Sequence, residues 1–122
     1  MGGASDHCSR GRKISEGEVP VDMTSLAANT LGNRGLQQEV LKLFLSQSDL
    51  LLARAEEAED LKGCQEAVHT LKGSARGVGA HLVALACEAA EGQMKTGEAP
   101  ALADLRETVA KTNRFIRSLV ED

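Results

Sequence analysis

The sequence predicts an all-α protein, an antiparallel up-down-up-down four-helix bundle with a short extra N-terminal helix. The first observation is compositional: hydrophobic residues make up 42% of the 122 residues, yet there are two Phe, no Tyr and no Trp. A core of Leu, Val and Ala favours close-packed helices, because strands are enriched in aromatic and β-branched residues. The second observation is periodic. Four segments repeat apolar residues at three- and four-residue spacing, and short connections join them.

The N-terminal stretch differs in composition from the rest of the chain. Residues 1–20 are rich in Gly, Ser and charge, with almost no apolar residue before Ile14. Such a segment buries too little apolar surface to offset the entropy of ordering it. We therefore predict a disordered tail over residues 1–20 and one domain over residues 21–122.

Two helices are predicted in the first half of this domain. Asp22 is a suitable N-cap for a short helix from Met23 to about Asn29. A long helix then runs from about Arg34 to about Asp60. Its predicted inward stripe consists of Leu36, Val40, Leu43 and Leu50, with polar Gln47 at one skipped position and with Leu41, Phe44 and Leu51 beside it.

The third helix has the clearest pattern in the chain. Its apolar seam alternates four- and three-residue steps, which is typical of a helix that faces the interior of a bundle. The seam consists of Cys64, Val68, Leu71, Ala75 and Val78. Gly77 and Gly79 are expected to end this helix.

Two further helices complete the predicted bundle. The fourth precedes Gly97 and Pro100, and its predicted inward residues are Leu82, Leu85, Ala86 and Ala89. The fifth begins at about Ala101. Its inward residues are predicted to be Leu102, Leu105, Val109, Thr112, Ile116 and Leu119.

Charge and hydropathy exclude several classes of function. The formal net charge is −4, and the only basic run is Arg10-Gly11-Arg12-Lys13. With few aromatic side chains to stack on bases, nucleic-acid binding is disfavoured. No apolar run approaches the ~20 residues that a membrane span needs, and no signal-peptide pattern is recognisable. We expect a cytoplasmic, monomeric protein that binds neither nucleic acid nor membrane.

Three cysteines occur, at Cys8, Cys64 and Cys87. An odd number without a secretory signal argues against a disulfide framework. Cys64, His69, His81 and Cys87 could be assembled into a metal site, but no compact pair of ligands nucleates it. We therefore expect no metal, and we interpret Cys64 and Cys87 as small buried hydrophobic residues.

His69 lies outside the seam of the third helix. At about 100° per residue, the outer side of this helix carries Gln65, His69, Lys72, Gly73 and Arg76. Residues three, four and seven positions after His69 are its neighbours on the helix surface. The exposed imidazole is thus expected to have a lysine, a glycine and an arginine beside it.

The glycine in this group is unusual, because a mid-helix Gly costs about 1 kcal/mol relative to Ala. At Gly73 it leaves a flat spot beside the imidazole, which permits another protein to approach the ring. Lys72 would supply a cation where a dianionic phosphoryl group would sit. The alternative is that His69 is a surface histidine with accidental neighbours, and helix geometry alone leaves that alternative open.

A longer stretch of the sequence resembles the motif of the histidine-containing phosphotransfer (HPt) domain. The family motif is roughly H-x-L-K-G-S, a Gly-Ala about ten residues on, then Leu, Cys and an acidic residue. The resemblance extends over about residues 20–120. The matching positions are His69-Thr70-Leu71-Lys72-Gly73-Ser74-Ala75, Val78-Gly79-Ala80, Leu82, Cys87 and Glu91.

The resemblance implies a function and assigns roles to residues. HPt domains are four-helix bundles with one or more accessory helices, and their histidine accepts a phosphoryl group from a receiver-domain aspartate and passes it to another receiver. The single-function members have neither ATPase nor kinase activity. By position, His69 would be phosphorylated, Lys72 would stabilise the phosphoryl group, and Glu91 would accept a hydrogen bond from His69 Nδ1. Gly73, with Gln65 and Arg76 beside it, would belong to the docking surface.

The resemblance also implies the partners. They would be receiver domains of response regulators or of a hybrid histidine kinase. No cofactor is expected on this chain, and Mg²⁺ is expected only on the receiver. Exposed apolar residues such as Leu31 and Val83 could extend the docking surface. For Glu91, the alternative to a role in the site is a solvated acid on the helix surface.

Three other interpretations remain open. The chain could be a helical interaction module without chemistry, or a phosphoacceptor domain of a chemotaxis-type kinase. It could also be the dimerising helix pair of a sensor kinase, but Thr70 and Ser74 occupy the places where that pair usually has an acid and a proline. The free tail and the end of the sequence shortly after Val120 favour a stand-alone protein.

Overall fold

The structure, a computed structural model, describes residues 19–120. Five helices account for most of this range, and none of its residues forms a strand. The helices are α1 (Met23–Asn29), α2 (Arg34–Glu57), α3 (Leu61–Val78), α4 (His81–Lys95) and α5 (Leu102–Leu119). The predicted tail over residues 1–20 lies outside the described residues, apart from Val19 and Pro20.

The four longer helices form the predicted antiparallel bundle. α2 packs on α3 and α5, and α4 packs on the same two helices. The chain reverses between α2 and α3 over residues 58–60, between α3 and α4 at Gly79-Ala80, and between α4 and α5 over residues 96–101. Because each connection is short, consecutive helices lie side by side and run in opposite directions. The extra helix α1 packs on α3.

The seams predicted for α3 and α5 are confirmed. All five α3 seam residues are buried, and α5 buries Leu105, Val109, Thr112 and Ile116, with Leu102 and Leu119 partly buried. Cys64 and Cys87 are buried as predicted and are free thiols. These contacts make α3 a rigid support, since its inner face is fixed while its outer face remains accessible.

The stripe predicted to face inward on α2 is wrong at three of its four positions, whereas Leu41, Phe44 and Leu51, which were predicted beside it, are buried. Leu36, Leu43 and Leu50 are 43%, 54% and 53% exposed. The residues that α2 buries are Leu41, Phe44, Ser48, Leu51, Leu52 and Ala55. Two apolar stripes run along this helix, and the one that carries Phe44, the largest fully buried side chain, faces the core.

The inward face of α4 also differs from the prediction. Leu82 is buried, but Leu85 is 54% exposed, and Ala86 and Ala89 are only partly buried. The face that packs against the bundle consists of Val83, Ala84, Cys87, Ala90 and Met94. Small side chains on both sides of this helix weaken the apolar pattern from which the face was predicted.

The end of α3 is held by α1. Asp22 caps α1 as predicted, accepting hydrogen bonds from the backbone N–H groups of Thr24 and Ser25 at 3.1 and 3.2 Å. The Asp22 N–H donates to the Gly79 carbonyl at 2.7 Å. Gly79 has φ +78°, and a Cβ there would lie 2.7 Å from the Asp22 carbonyl oxygen. This position therefore requires glycine both for its conformation and for the close approach of α1.

None of the helices within residues 19–120 is long and apolar enough to cross a membrane.

Candidate functional site

His69 stands on the outer face of α3, as predicted. Its side chain is 73% exposed, whereas the preceding residue, Val68, is fully buried. Val68 and Leu71 anchor this turn of the helix in the core. The backbone beneath the imidazole is therefore fixed while the ring itself is open to solvent.

Glu91 on α4 holds one nitrogen of this ring. Its Oε2 lies 3.1 Å from His69 Nδ1. A carboxylate accepts a hydrogen bond from Nδ1–H, which favours the tautomer with the proton on Nδ1. In that tautomer the lone pair of Nε2 is free to act as a nucleophile. The structure thus brings together the two residues that the resemblance pairs.

Lys72 contacts the other oxygen of the same carboxylate. Its Nζ lies 2.6 Å from Glu91 Oε1, and its side chain is only 14% exposed. Lys72 therefore lies between α3 and α4 and is less exposed than its place on the outer face of α3 suggests. The three side chains form one network, with Glu91 bridging the lysine and the histidine.

Two opposing effects act on the pKa of Glu91. Burial is the largest single contribution and raises it, while hydrogen bonds from Lys72 and then His69 lower it. The net pKa lies below the ordinary value for a glutamate. Glu91 is therefore a carboxylate at neutral pH, as an acceptor for Nδ1–H must be.

Gly73 and Arg76 have different surroundings. Gly73 is exposed, and a Cβ built there would meet no atom within 4 Å. The fold therefore gives no internal reason for a glycine at this position. Arg76 forms an ion pair with Glu88 of α4, so its guanidinium is engaged one turn away from the network around His69.

A surface depression with a volume of about 510 Å³ adjoins the ring. Its lining includes Gln65, the remaining predicted site residue, which is half-buried. The depression is lined by Gln65, Glu66, His69, Thr70, Lys72, Glu91 and Lys95. Sequence reasoning missed Lys95, although its position four residues after Glu91 places the two on one side of α4.

The four residues considered for a metal site are not arranged as one. Within residues 19–120, no group of three or more His, Cys, Asp or Glu side chains could hold a metal ion. Burial is the largest effect that raises the pKa of Cys87, to about 12, followed by the charge of Glu91. The Cys87 thiol is thus protonated, and it packs as a small apolar group in the core.

The two residues proposed for an apolar docking surface differ in their exposure to solvent. Leu31 is 92% exposed, whereas Val83 is fully buried. The proposal for Val83 is therefore wrong, because this residue lies on the core face of α4. Leu31 remains accessible at the connection between α1 and α2.

A four-helix bundle that exposes a histidine, and orients it by a carboxylate from the neighbouring helix, has the arrangement expected of a phosphocarrier domain. The family model of the Hpt domain matches residues 39–121. The chain therefore belongs to the Hpt domain family. Neither the curated proteins nor the solved structures contain a significant match to it.

Membership of the family defines the general role of the protein. Hpt domains are phosphocarrier modules of two-component signalling. They interact with receiver domains and histidine kinases in phosphorelays. The bundle is thus a phosphotransfer module.

Proposed function

We propose that this protein accepts a phosphoryl group from a receiver-domain aspartate on Nε2 of His69 and passes it to another response regulator. The observation that carries the proposal is the hydrogen bond between His69 Nδ1 and Glu91, 3.1 Å long. It supports a tautomer with a free Nε2, on a side chain that is 73% exposed and therefore accessible to a second protein.

The chemistry requires no proton to leave the ring. The Nε2 lone pair attacks phosphorus, the bond from phosphorus to the aspartyl oxygen breaks, and the receiver aspartate leaves as a carboxylate. The ring keeps its Nδ1 proton and becomes a phosphorylated imidazolium, whose positive charge lies against the Glu91 carboxylate. Transfer to the next receiver reverses these steps.

The remaining site residues would serve docking and charge. Lys72, at hydrogen-bonding distance from Glu91, would keep that carboxylate in place and offer its remaining N–H donors to the phosphoryl oxygens. Gly73 would let the receiver approach closely, with Gln65 and Arg76 at the edge of the contact. We expect no cofactor on this chain, since the receiver would contribute Mg²⁺ to the shared transition state.

A labelling experiment tests the proposal. The protein is mixed with a receiver domain that carries ³²P-phosphoaspartate, and the transfer of label is followed on gels. We expect label that acid removes and base does not, as for phosphohistidine, and none on His69→Gln. If that variant takes up label as well as the parent does, His69 is not the acceptor and the proposal is wrong.

A further inference from the structure

Lys95 is a basic residue in the lining of the depression that adjoins His69. It is the last residue of α4, one helical turn beyond Glu91, and it lines the same depression as His69 and Lys72. Its side chain is exposed, and within residues 19–120 it forms no hydrogen bond or ion pair. Its ammonium group is therefore free to move over the depression.

The charges in the depression change when His69 is phosphorylated. Before phosphorylation, the Lys72 ammonium balances the Glu91 carboxylate at a distance of 2.6 Å. A phosphoryl group on Nε2 adds about two negative charges at neutral pH, and the imidazolium offsets one of them. Glu66, which also lines the depression, adds a further negative charge. An unbalanced negative charge is thus left beside Lys95, which among the described lining residues is the cation without an ion pair.

We propose that Lys95 is a second phosphoryl-binding residue, whose ammonium donates to the phosphoryl oxygens of phosphorylated His69 from the side of the depression. This inference rests on the proposed function and deepens it. The depression is then a subsite for the phosphoryl dianion, between Lys72 and Lys95. Lys72 belongs to the network before phosphorylation, whereas Lys95 joins it afterwards.

A contact made only in the phosphorylated state has a thermodynamic consequence. It stabilises phosphohistidine relative to the free histidine and so shifts the equilibrium of phosphoryl exchange with a receiver towards this protein. Because the ion pair is exposed to solvent, added salt weakens it. The equilibrium share of label on His69 should therefore depend on Lys95 and on ionic strength together.

The experiment measures this equilibrium between the full chain and a ³²P-phosphorylated receiver at low and high salt. Lys95→Gln should lower the equilibrium constant for label on His69 by about three- to tenfold at low salt, and Lys95→Arg should restore most of it. Lys42→Gln is the matched control, because it removes one exposed positive charge from α2. It should leave the equilibrium constant unchanged, and high salt should bring wild type and Lys95→Gln together.

The outcomes separate the two proposals. If wild type takes up no label, the proposed function and this inference both fail. If wild type is labelled and Lys95→Gln has the same equilibrium constant, the inference about Lys95 alone is wrong. An equal loss in Lys42→Gln also overturns it, since the effect is then one of net charge. Thermal melting followed by circular dichroism verifies that each variant retains the bundle.

Discussion

His69 Nδ1 lies 3.1 Å from Glu91 Oε2, across the interface between α3 and α4. The packing of two helices, rather than any local turn, thus determines how the imidazole of His69 is oriented. Lys72 binds the other oxygen of the same carboxylate at 2.6 Å. A substitution at Glu91 should therefore affect the histidine and the lysine together.

The first prediction concerns this carboxylate. Glu91→Ala removes a charge-assisted hydrogen bond worth about 1.5–3 kcal/mol, which corresponds to roughly a ten- to hundredfold slower transfer if the full amount is lost in the transition state. Glu91→Gln keeps an acceptor for Nδ1–H but loses the charge. The transfer rate of this variant should therefore lie between the rates of wild type and Glu91→Ala. Single-turnover transfer from a phosphorylated receiver measures these rates. A Glu91→Ala rate equal to that of wild type would mean that the ring needs no orienting partner.

The second prediction concerns acid stability. Because the pKa of Glu91 is lowered in the folded protein, the carboxylate contributes stability that is fully present above its unfolded pKa, ~4.3. This contribution is lost as the pH falls through the lowered folded pKa. The difference in melting temperature between wild type and Glu91→Gln should therefore be constant from pH 7 to about 5 and shrink below that. A difference that grows on acidification would contradict this sign.

The third prediction separates stability from docking at Gly73. A Cβ at this exposed helical position meets nothing within 4 Å, so Gly73→Ala should raise the free energy of unfolding by about 0.5–1 kcal/mol. The same methyl group lies where the receiver is proposed to approach, so transfer should slow. Urea unfolding and transfer kinetics on the same variant measure both effects.

Gly77→Ala is the matched control for this substitution. Gly77 is also in α3, and a Cβ there also meets nothing within 4 Å. It lies two turns beyond His69. This variant should gain similar stability and keep the wild-type rate, whereas equal slowing in both would show that the docking surface extends to the end of α3.

The buried face is predictable from sequence for α3 but not for α2, for a physical reason. In α3, one apolar stripe and one polar face leave a single way to pack, so both the seam and the outward position of His69 could be predicted. In α2, Leu36, Leu43 and Leu50 form a second stripe beside the buried one, and only contacts with other helices decide which stripe is buried. Periodicity within one helix cannot provide that information.

The candidate site shows the same limit. Helical periodicity placed Lys72 beside His69, but the 14% exposure of Lys72 and its contact with Glu91 depend on how α4 packs against α3. Lys95 was missed for the same reason. It is 26 positions from His69 in the sequence, and only the antiparallel packing of the two helices brings both to one depression.

The fourth prediction concerns the thiols. Cys87 is fully buried and its pKa is raised to about 12, and burial also raises the pKa of Cys64. Since the thiolate is the reactive form, neither should react with iodoacetamide at pH 8 while the protein is folded. Both should react after denaturation in urea. Peptide mass spectrometry of the native and denatured protein measures this, and rapid native labelling of Cys87 would contradict its burial.

The fifth prediction concerns a polar pair inside the bundle. Asn113 of α5 donates from Nδ2 to Ser48 Oγ of α2 at 2.9 Å, and both residues are buried. Ser48→Ala would leave that Nδ2 with only Asp49 Oδ1, at 3.5 Å. An under-satisfied buried donor costs about 1–3 kcal/mol, so the free energy of unfolding should fall by about that amount.

Asn113→Leu should have the opposite effect on the same contact. Within residues 19–120, Asn113 Oδ1 has no hydrogen-bond partner, so this substitution removes an unpaired acceptor together with the donor. Ser48 Oγ keeps its bond to the Leu45 carbonyl at 3.3 Å. Because replacing a buried polar group by an apolar one of similar shape can be nearly neutral or stabilising, the free energy of unfolding should stay constant or rise. Urea unfolding of both variants measures the contrast. Equal losses in the two would mean that the Asn113 amide stabilises the bundle beyond its bond to Ser48.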